Sequence, residues 1–173
     1  PKGEDLLSTA KRVLQQKAGI SPKDVYLEQL YTFGRANRDP RGRVVSVAHY
    51  ALLRPELVIH LFDDQPGATV KWFATTALPH LAFDHDEIVN TALTRLRGKV
   101  DYSAISLELV PELFSIRELR TVFSLLTGKT VDPGNFRRKF QRMLQDRWLE
   151  EVPEKQQTPT RPAKLYRSLL PPI

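Results

Sequence analysis

Hydrophobic positions change period several times along the chain, and each change marks an element. Leu6, Leu7, Ala10, Val13 and Leu14 keep a helical period that predicts a helix over 4–17, with Gly19 just past its end. Ser21-Pro22 restarts the chain. Residues 25–33 and 43–53, rich in β-branched and aromatic side chains, read as strands joined by a polar loop over 35–42. Shorter strand candidates at 57–62 and 70–73 flank the turn-like Asp63-Asp64-Gln65-Pro66-Gly67. A helix is predicted over 86–97, capped by Asp84 or His85, and 98–113 then carries the chain into its last third.

That last third is the most regular. Ser115-Ile116-Arg117-Glu118 forms a capping box, after which Ile116, Leu119, Val122, Phe123 and Leu126 keep a helical period until Gly128. Asp132 and Pro133 suit the cap and first position of a second helix. In it Phe136, Phe140, Met143 and Leu144 draw one apolar stripe, and Arg137, Arg138 and Arg142 lie off it. Residues 148–152 alternate like a strand, 153–162 form a polar tip with prolines, and 163–167 form a second strand. Helix, turn, basic helix and hairpin in that order make a winged helix-turn-helix, with a boundary near residue 109. Such a fold places Asn135, in the first turn of the basic helix, against base edges. Arg161 and Lys164 on the tip would straddle phosphates. For the basic helix taken alone, a solvated charged face is the plain alternative.

Composition narrows the partner class. The 173 residues are 41% hydrophobic, enough for a packed core in one large or two small domains. The formal net charge is +6. Residues 109–173 hold 12 Lys and Arg against 7 Asp and Glu, whereas 1–108 hold 14 against 13. The basic excess therefore belongs to the segment with the basic helix, and such a concentrated field attracts a polyanion. No long apolar run or lipidation signal points to a membrane. The absence of cysteine rules out a disulfide, a thiolate nucleophile and cysteine-bound zinc, and suits a reducing cytoplasm. No signal peptide, internal repeat or low-complexity tract is visible, and a start at Pro1 rather than Met implies a segment upstream.

Glu4, Arg12, Leu14, Gly19 and Ile20 fall at the spacing of the Nudix box, G-x5-E-x7-R-E-U-x-E-E-x-G-U, whose first glycine would lie just before Pro1. Its remaining glutamates fall at Val13, Gln16 and Lys17. In Nudix hydrolases those carboxylates hold the Mg²⁺ ions that screen a pyrophosphate and activate water. A valine, an amide and a cation cannot replace them. Residues 26–34 and 38–47, with Leu78-Pro79-His80-Leu81-Ala82-Phe83-Asp84-His85, resemble the ADP-ribose pyrophosphatase branch of Nudix proteins. A degenerate domain of that branch joined to a winged helix resembles the Nudix-related transcriptional regulators of NAD metabolism, the NrtR family. Asn135-Phe136-Arg137-Arg138-Lys139 and Arg161-Pro162-Ala163-Lys164-Leu165-Tyr166-Arg167 are similar to that family's recognition helix and wing. Thr160 stands where the family's wing carries glycine.

The resemblance implies an α/β Nudix-like sandwich, N-terminally incomplete, over 1–108 and an α+β winged helix over 109–173. It implies a repressor that binds double-stranded operator DNA as a cytoplasmic homodimer and senses ADP-ribose or a related nucleotide as a regulatory ligand, with no cofactor. Arg117, Asn135, Arg137, Arg138, Lys139, Arg142, Arg161, Lys164 and Arg167 are then the expected DNA contacts. On the ligand side the expected residues are Glu4 and Arg12 from the box, with Arg38, Asp39, Arg41 and Arg43. The arginines of that loop have a physical argument of their own, since a diphosphate would neutralise them and suits guanidinium forks. A solvent-facing loop in which Asp39 pairs one of them is the alternative. Positions 44–47 and the helix from Asp86 are the candidate dimer surface.

Other chemistry finds little support. His49, His60, His80 and His85 have no i, i+4 pairing, and Asp84-His85-Asp86-Glu87 reads as ordinary helix capping, so no metal site is expected. There is no G-x-S-x-G nucleophile. Gly128-Lys129-Thr130 lacks the earlier glycine of a phosphate loop, because Phe123 holds its place. No catalytic residue is assigned. The competing class is an enzyme, a Nudix hydrolase of ADP-ribose or a nucleotide sugar with an accessory basic domain.

Overall fold

Capping residues decide where the helices begin and end. The computed structural model describes residues 3–23, 25–60, 71–100, 102–159 and 161–170, with only the backbone of 59 and 60. Helix α1 spans Leu6–Ala18, with Asp5 accepting from the Ser8 amide at 2.7 Å and Gly19 ending it at φ 68°. Strands β1 (Tyr26–Phe33) and β2 (Ser46–Leu52) pair antiparallel, with a bulge between Gln29 and Tyr31. Helix α2 spans Pro55–His60 and α3 His85–Lys99. A 3₁₀ helix, Ala104–Leu109, precedes α4 (Ile116–Thr127), α5 (Pro133–Gln145), β3 (Leu149–Gln156) and β4 (Ala163–Ser168). By packing, the chain divides into one unit of residues 1–53 with 57–95 and another of 54–56 with 96–173. The chain thus passes between them within α3.

In the first unit, two strand expectations fail. Residues 57–60 are helical, because Pro55 and Glu56 supply a helix start that the short apolar run then follows. Lys71–Phe73 have no regular structure, while Leu61, Phe62, Val70 and the turn at 63–67 lie outside the described residues. β2 begins at Ser46 rather than residue 43. Gly42 turns the chain at φ 157°, and the Arg43 guanidinium reaches back to the Gly34 carbonyl at 2.6 Å, so 34–45 close as a loop. Tyr26, Leu30, Phe33, Tyr50 and Leu52 are the buried residues of the ribbon.

The second unit has the larger apolar core. Val100, Leu107, Val110, Phe114, Leu119, Phe123, Phe136, Phe140, Met143, Leu149 and Tyr166 belong to it. The connecting stretch contributes directly, since Ala104, Leu107 and Val110 are buried. Ala104, Ile105, Ser106 and Leu107 are buried in succession, so this turn shows none of the alternation of apolar and polar positions that marks an amphipathic helix or strand in the sequence. Phe114 pairs with Tyr166 through both backbone bonds, 3.0 and 2.8 Å, and so adds a short third strand to the hairpin. β3 runs four residues past the expected Val152. Proline is tolerated at Pro153 because the ladder breaks register between Glu151 and Lys155, where no amide donor is needed.

Phe140 joins α5 to the hairpin through Tyr166, at 4.7 Å between ring centroids. Phe140→Ala is expected to destabilise the second unit by about 3–5 kcal/mol. Chemical denaturation followed by near-UV circular dichroism checks this, and a loss below about 1 kcal/mol would show that the ring is not part of the core.

Candidate nucleic-acid interface

Helix α5 is anchored from one side. Phe136, Phe140 and Met143 are buried, with Phe136 edge-on to Phe123 at 5.1 Å. On the opposite side Gly134, Arg138, Gln141 and Gln145 recur at i, i+4, i+7 and i+11, and all are exposed. This stripe is the part of α5 free to enter a groove. Arg137 lies on one flank of it, and Asn135 and Arg142 on the other. Asp132 accepts from the Asn135 amide at 2.8 Å, so the helix starts firmly at Pro133. The Asn135 side chain accepts from the Arg138 guanidinium, an i, i+3 contact that holds a hydrogen-bonding amide and a fork donor together.

The other expected contacts divide into paired and unpaired cations. Arg117, in the first turn of α4, shares a cleft of about 350 Å³ with Arg137. Arg142 lines a second cleft of about 440 Å³ with Asn135, Arg138 and Trp148. Among the described residues no carboxylate pairs with Arg117, Arg137 or Arg142. Lys139 points differently: it is half-buried, with Nζ 4.5 Å from the centre of the Phe123 ring. On the hairpin, Lys164 pairs with Glu151 at 2.8 Å and Arg167 with Glu150. The Glu151 carboxylate raises the proton affinity of Lys164. Arg161 is exposed, and its backbone is tied to the Thr158 hydroxyl, which donates to the Arg161 carbonyl at 2.6 Å and accepts from its amide at 3.2 Å. Thr160 lies outside the described residues.

The expected ligand residues of the first unit hold one another. Arg12 grips Glu4 with Nε and Nη2 at 2.9 and 2.8 Å, and the Arg12 guanidinium keeps the Glu4 carboxyl at about 2, well below its usual value of 4.5. Gln16 accepts from Arg12 at 3.2 Å, and Val13 and Lys17 are exposed on the same helix. Arg38 forks onto Asp84 at 2.7 and 2.8 Å and donates to Ser46 at 2.6 Å, with its side chain only 5% exposed. Asp39 is held by Arg41, whose guanidinium brings the Asp39 carboxyl to about 2. Arg41 is otherwise exposed and lies 5.0 Å from the centre of the Phe83 ring. Phe83 is exposed at φ 59°, a backbone region that a bulky residue rarely adopts. Of the histidines, His80 meets Asp86 at 2.9 Å, and His49 contacts the Val47 carbonyl.

Several residues at these surfaces are not among those the sequence pattern singles out. Gln141 and Gln145 come forward only once the stripe opposite Phe136 and Phe140 is counted. Lys155 faces Lys164 across the ladder, a pairing hidden by the longer β3. Phe83 is distinguished by backbone geometry alone.

The family description "NrtR DNA-binding winged helix domain" matches residues 106–168. NrtR of Shewanella oneidensis, solved in complex with a 27mer DNA, is 33% identical to this chain. The match covers 96% of this chain and 74% of that one, with a TM-score of 0.80. The chain belongs to the NrtR family. The ADPR responsive transcriptional repressor NtrR of Acinetobacter baylyi is 32% identical over 167 residues. The match takes in 96% of this chain, which spans 65% of that repressor's length. A MutT/nudix family protein of Enterococcus faecalis is 27% identical, with a TM-score of 0.72 over 98% of this chain and 72% of its own. The fold is therefore Nudix-like followed by an NrtR winged helix. Among the described residues, no helix is long and apolar enough to cross a membrane.

Because Glu4 and Asp39 bind their protons only near pH 2 in the folded chain, they contribute stability that is present above their ordinary values of 4.5 and 3.8. That contribution is lost as pH falls toward about 2. Melting temperature measured from about pH 5 to about pH 2 is expected to fall more steeply in the parent than in a Glu4→Gln, Asp39→Asn variant. Parallel curves would show that these pairs add nothing to the folded state.

Proposed function

We propose that this chain is a transcriptional repressor that binds operator DNA as a homodimer and is controlled by ADP-ribose, in the service of NAD metabolism. The observation that carries the DNA half is the row Arg117, Arg137 and Arg142 on α4 and α5 of an NrtR winged helix, which no carboxylate pairs among the described residues. Arg138, Gln141 and Gln145 read base edges from the outward stripe, where Arg forks suit guanine and Gln suits adenine. Arg117, Arg137 and Arg142 at the flanks, with Arg161, Lys164 and Arg167 on the hairpin, meet phosphates. Asn135 assists by orienting Arg138. A single winged helix reads few base pairs, so a symmetric dimer on a palindrome multiplies specificity. Exposed Val44 and Val45 are the apolar candidates for that contact.

The ligand half rests on the Acinetobacter relative, named as ADPR responsive. Arg41 and Arg43 take the diphosphate, Phe83 offers a ring face, and Arg38 with Asp84 supports the loop from beneath. ADP-ribose changes DNA affinity only by binding the DNA-competent and incompetent forms unequally. A difference of about 1–3 kcal/mol gives roughly a five- to hundredfold change. The chain is not a Nudix hydrolase in this reading, because Val13, Gln16 and Lys17 cannot hold Mg²⁺. Mg²⁺-dependent release of AMP from ADP-ribose would overturn that part.

Selection of duplexes from a random library tests the whole reading. A palindromic sequence is expected to emerge, and ADP-ribose to release it. Gln141→Ala should relax the choice at one position per half-site and weaken binding there by about 1–3 kcal/mol. Arg41→Ala should bind the same duplex without responding to ADP-ribose. Absence of any enriched sequence would contradict the DNA assignment, and an unchanged response in Arg41→Ala would move the ligand elsewhere.

A further inference from the structure

The cleft that Arg117 and Arg137 share contains a third arginine. Arg120, one turn along α4 from Arg117, lines it together with Pro133 and Gly134 at the start of α5. None of the three arginines has a carboxylate partner among the described residues. Arg120 and Pro133 also line an adjoining cleft of about 410 Å³, with Thr121, Lys129 and Thr130. The two clefts share Arg120 and Pro133, and the pair of them makes up a cationic groove beside the turn between α4 and α5. Elsewhere in this unit, Lys164 and Arg167 are paired within the hairpin. Like charges left together without a counter-charge destabilise one another, so the groove favours an anion.

Its shape points to an extended anion rather than a compact one. The cations lie along both sides of the α4–α5 turn instead of converging on one point. Thr130 adds a hydroxyl at the Lys129 end, whereas the Thr121 hydroxyl already donates to the Arg117 carbonyl at 3.0 Å. Gly134 keeps the wall low: a Cβ there would stand 3.3 Å from the Asp132 carboxylate that caps α5. A side chain at 134 would thus crowd the cap as well as fill the approach. Glycine inside a helix costs about 1 kcal/mol relative to alanine, which is consistent with a close backbone approach at this point.

We infer that this groove is a phosphodiester clamp, in which Arg120, with Arg117 and Arg137 on one side and Lys129 on the other, holds successive phosphates of one DNA strand. The inference rests on the DNA-binding reading and deepens it. The clamp flanks the outward stripe of α5, so it fixes the depth and register at which Arg138 and Gln141 meet base edges. Arg120 is a positioning residue whose contacts are blind to sequence. The sequence pattern did not single it out, because i, i+3 arginines on α4 look like a solvated face until α5 closes the cleft.

Salt dependence of DNA binding by the full chain tests the clamp. The probes are the 27mer duplex of the Shewanella complex and a scrambled duplex of equal composition. Arg120→Ala is expected to weaken both by a similar factor, about three- to tenfold, and to reduce the slope of log affinity against log salt by about 0.9 for each phosphate lost. Arg120→Lys should keep the slope while losing part of the affinity, because the charge remains and the fork does not. Arg120→Gln, measured beside Arg120→Ala with a thermal melt, separates lost contact from lost folding. Unchanged affinity and slope in Arg120→Ala, or a loss confined to one duplex, would overturn the clamp. So would competition by millimolar inorganic phosphate beyond that of chloride at equal ionic strength, which would make the groove a small-anion site. If the parent chain binds neither duplex at low salt, the DNA-binding reading fails and the clamp fails with it.

Discussion

One aromatic chain holds the functional half of this protein in shape. Phe123 of α4 meets Phe136 of α5, Phe140 meets Tyr166 of β4, and Tyr166 is paired through its backbone to Phe114. Edge-to-face ring pairs add modest energy each beyond their buried area, and here they join two helices to the hairpin. Because α5 is gripped along one stripe, its opposite stripe is defined without further choice. The position of Gly134, Arg138, Gln141 and Gln145 is thus a consequence of where the rings are buried. The Asp132 cap and the capping box at Ser115 then decide where the two helices start.

Charge is distributed to match. In the first unit the arginines expected at a ligand are largely consumed by carboxylates: Arg12 by Glu4, Arg38 by Asp84, and Arg41 in part by Asp39. Those pairs shape a loop and a helix start. In the second unit the hairpin neutralises Lys164 and Arg167, while Arg117, Arg120 and Arg137 beside the α4–α5 turn have no carboxylate partner among the described residues. The net charge of 109–173 therefore understates how local the field is. A polyanion would feel one groove and one helix face more strongly than the hairpin as a whole.

Local signals made much of the fold legible. Ser115 with Glu118, Asp132 with Pro133, and Gly19 and Gly128 carry their meaning within a few residues, and the helices end at those residues. The basic helix and hairpin followed from period alone. What escaped was set by context or by a short length. Ala104–Leu109 buries four residues in succession, and Pro55–His60 is too short for period to separate helix from strand. Pro153 reads as the end of a strand unless the register break beside it is known. At the sites, the sequence singled out charged residues, but pairing is decided in three dimensions. Arg38 and Asp84 are 46 residues apart, and nothing local announces their fork. The roles proposed for Gln141 and Arg120 rest on the faces that neighbouring elements leave open.

The central claim is that α5 reads base edges in the major groove from the stripe opposite Phe136 and Phe140. Methylation interference on a duplex enriched by selection tests it directly, because guanine N7 lies in the major groove and adenine N3 in the minor groove. N7 methylation of guanines within each half-site is expected to block binding by the parent chain, and Arg138→Ala to become indifferent to at least one of them. Interference confined to adenine N3, or none in either groove, would contradict it.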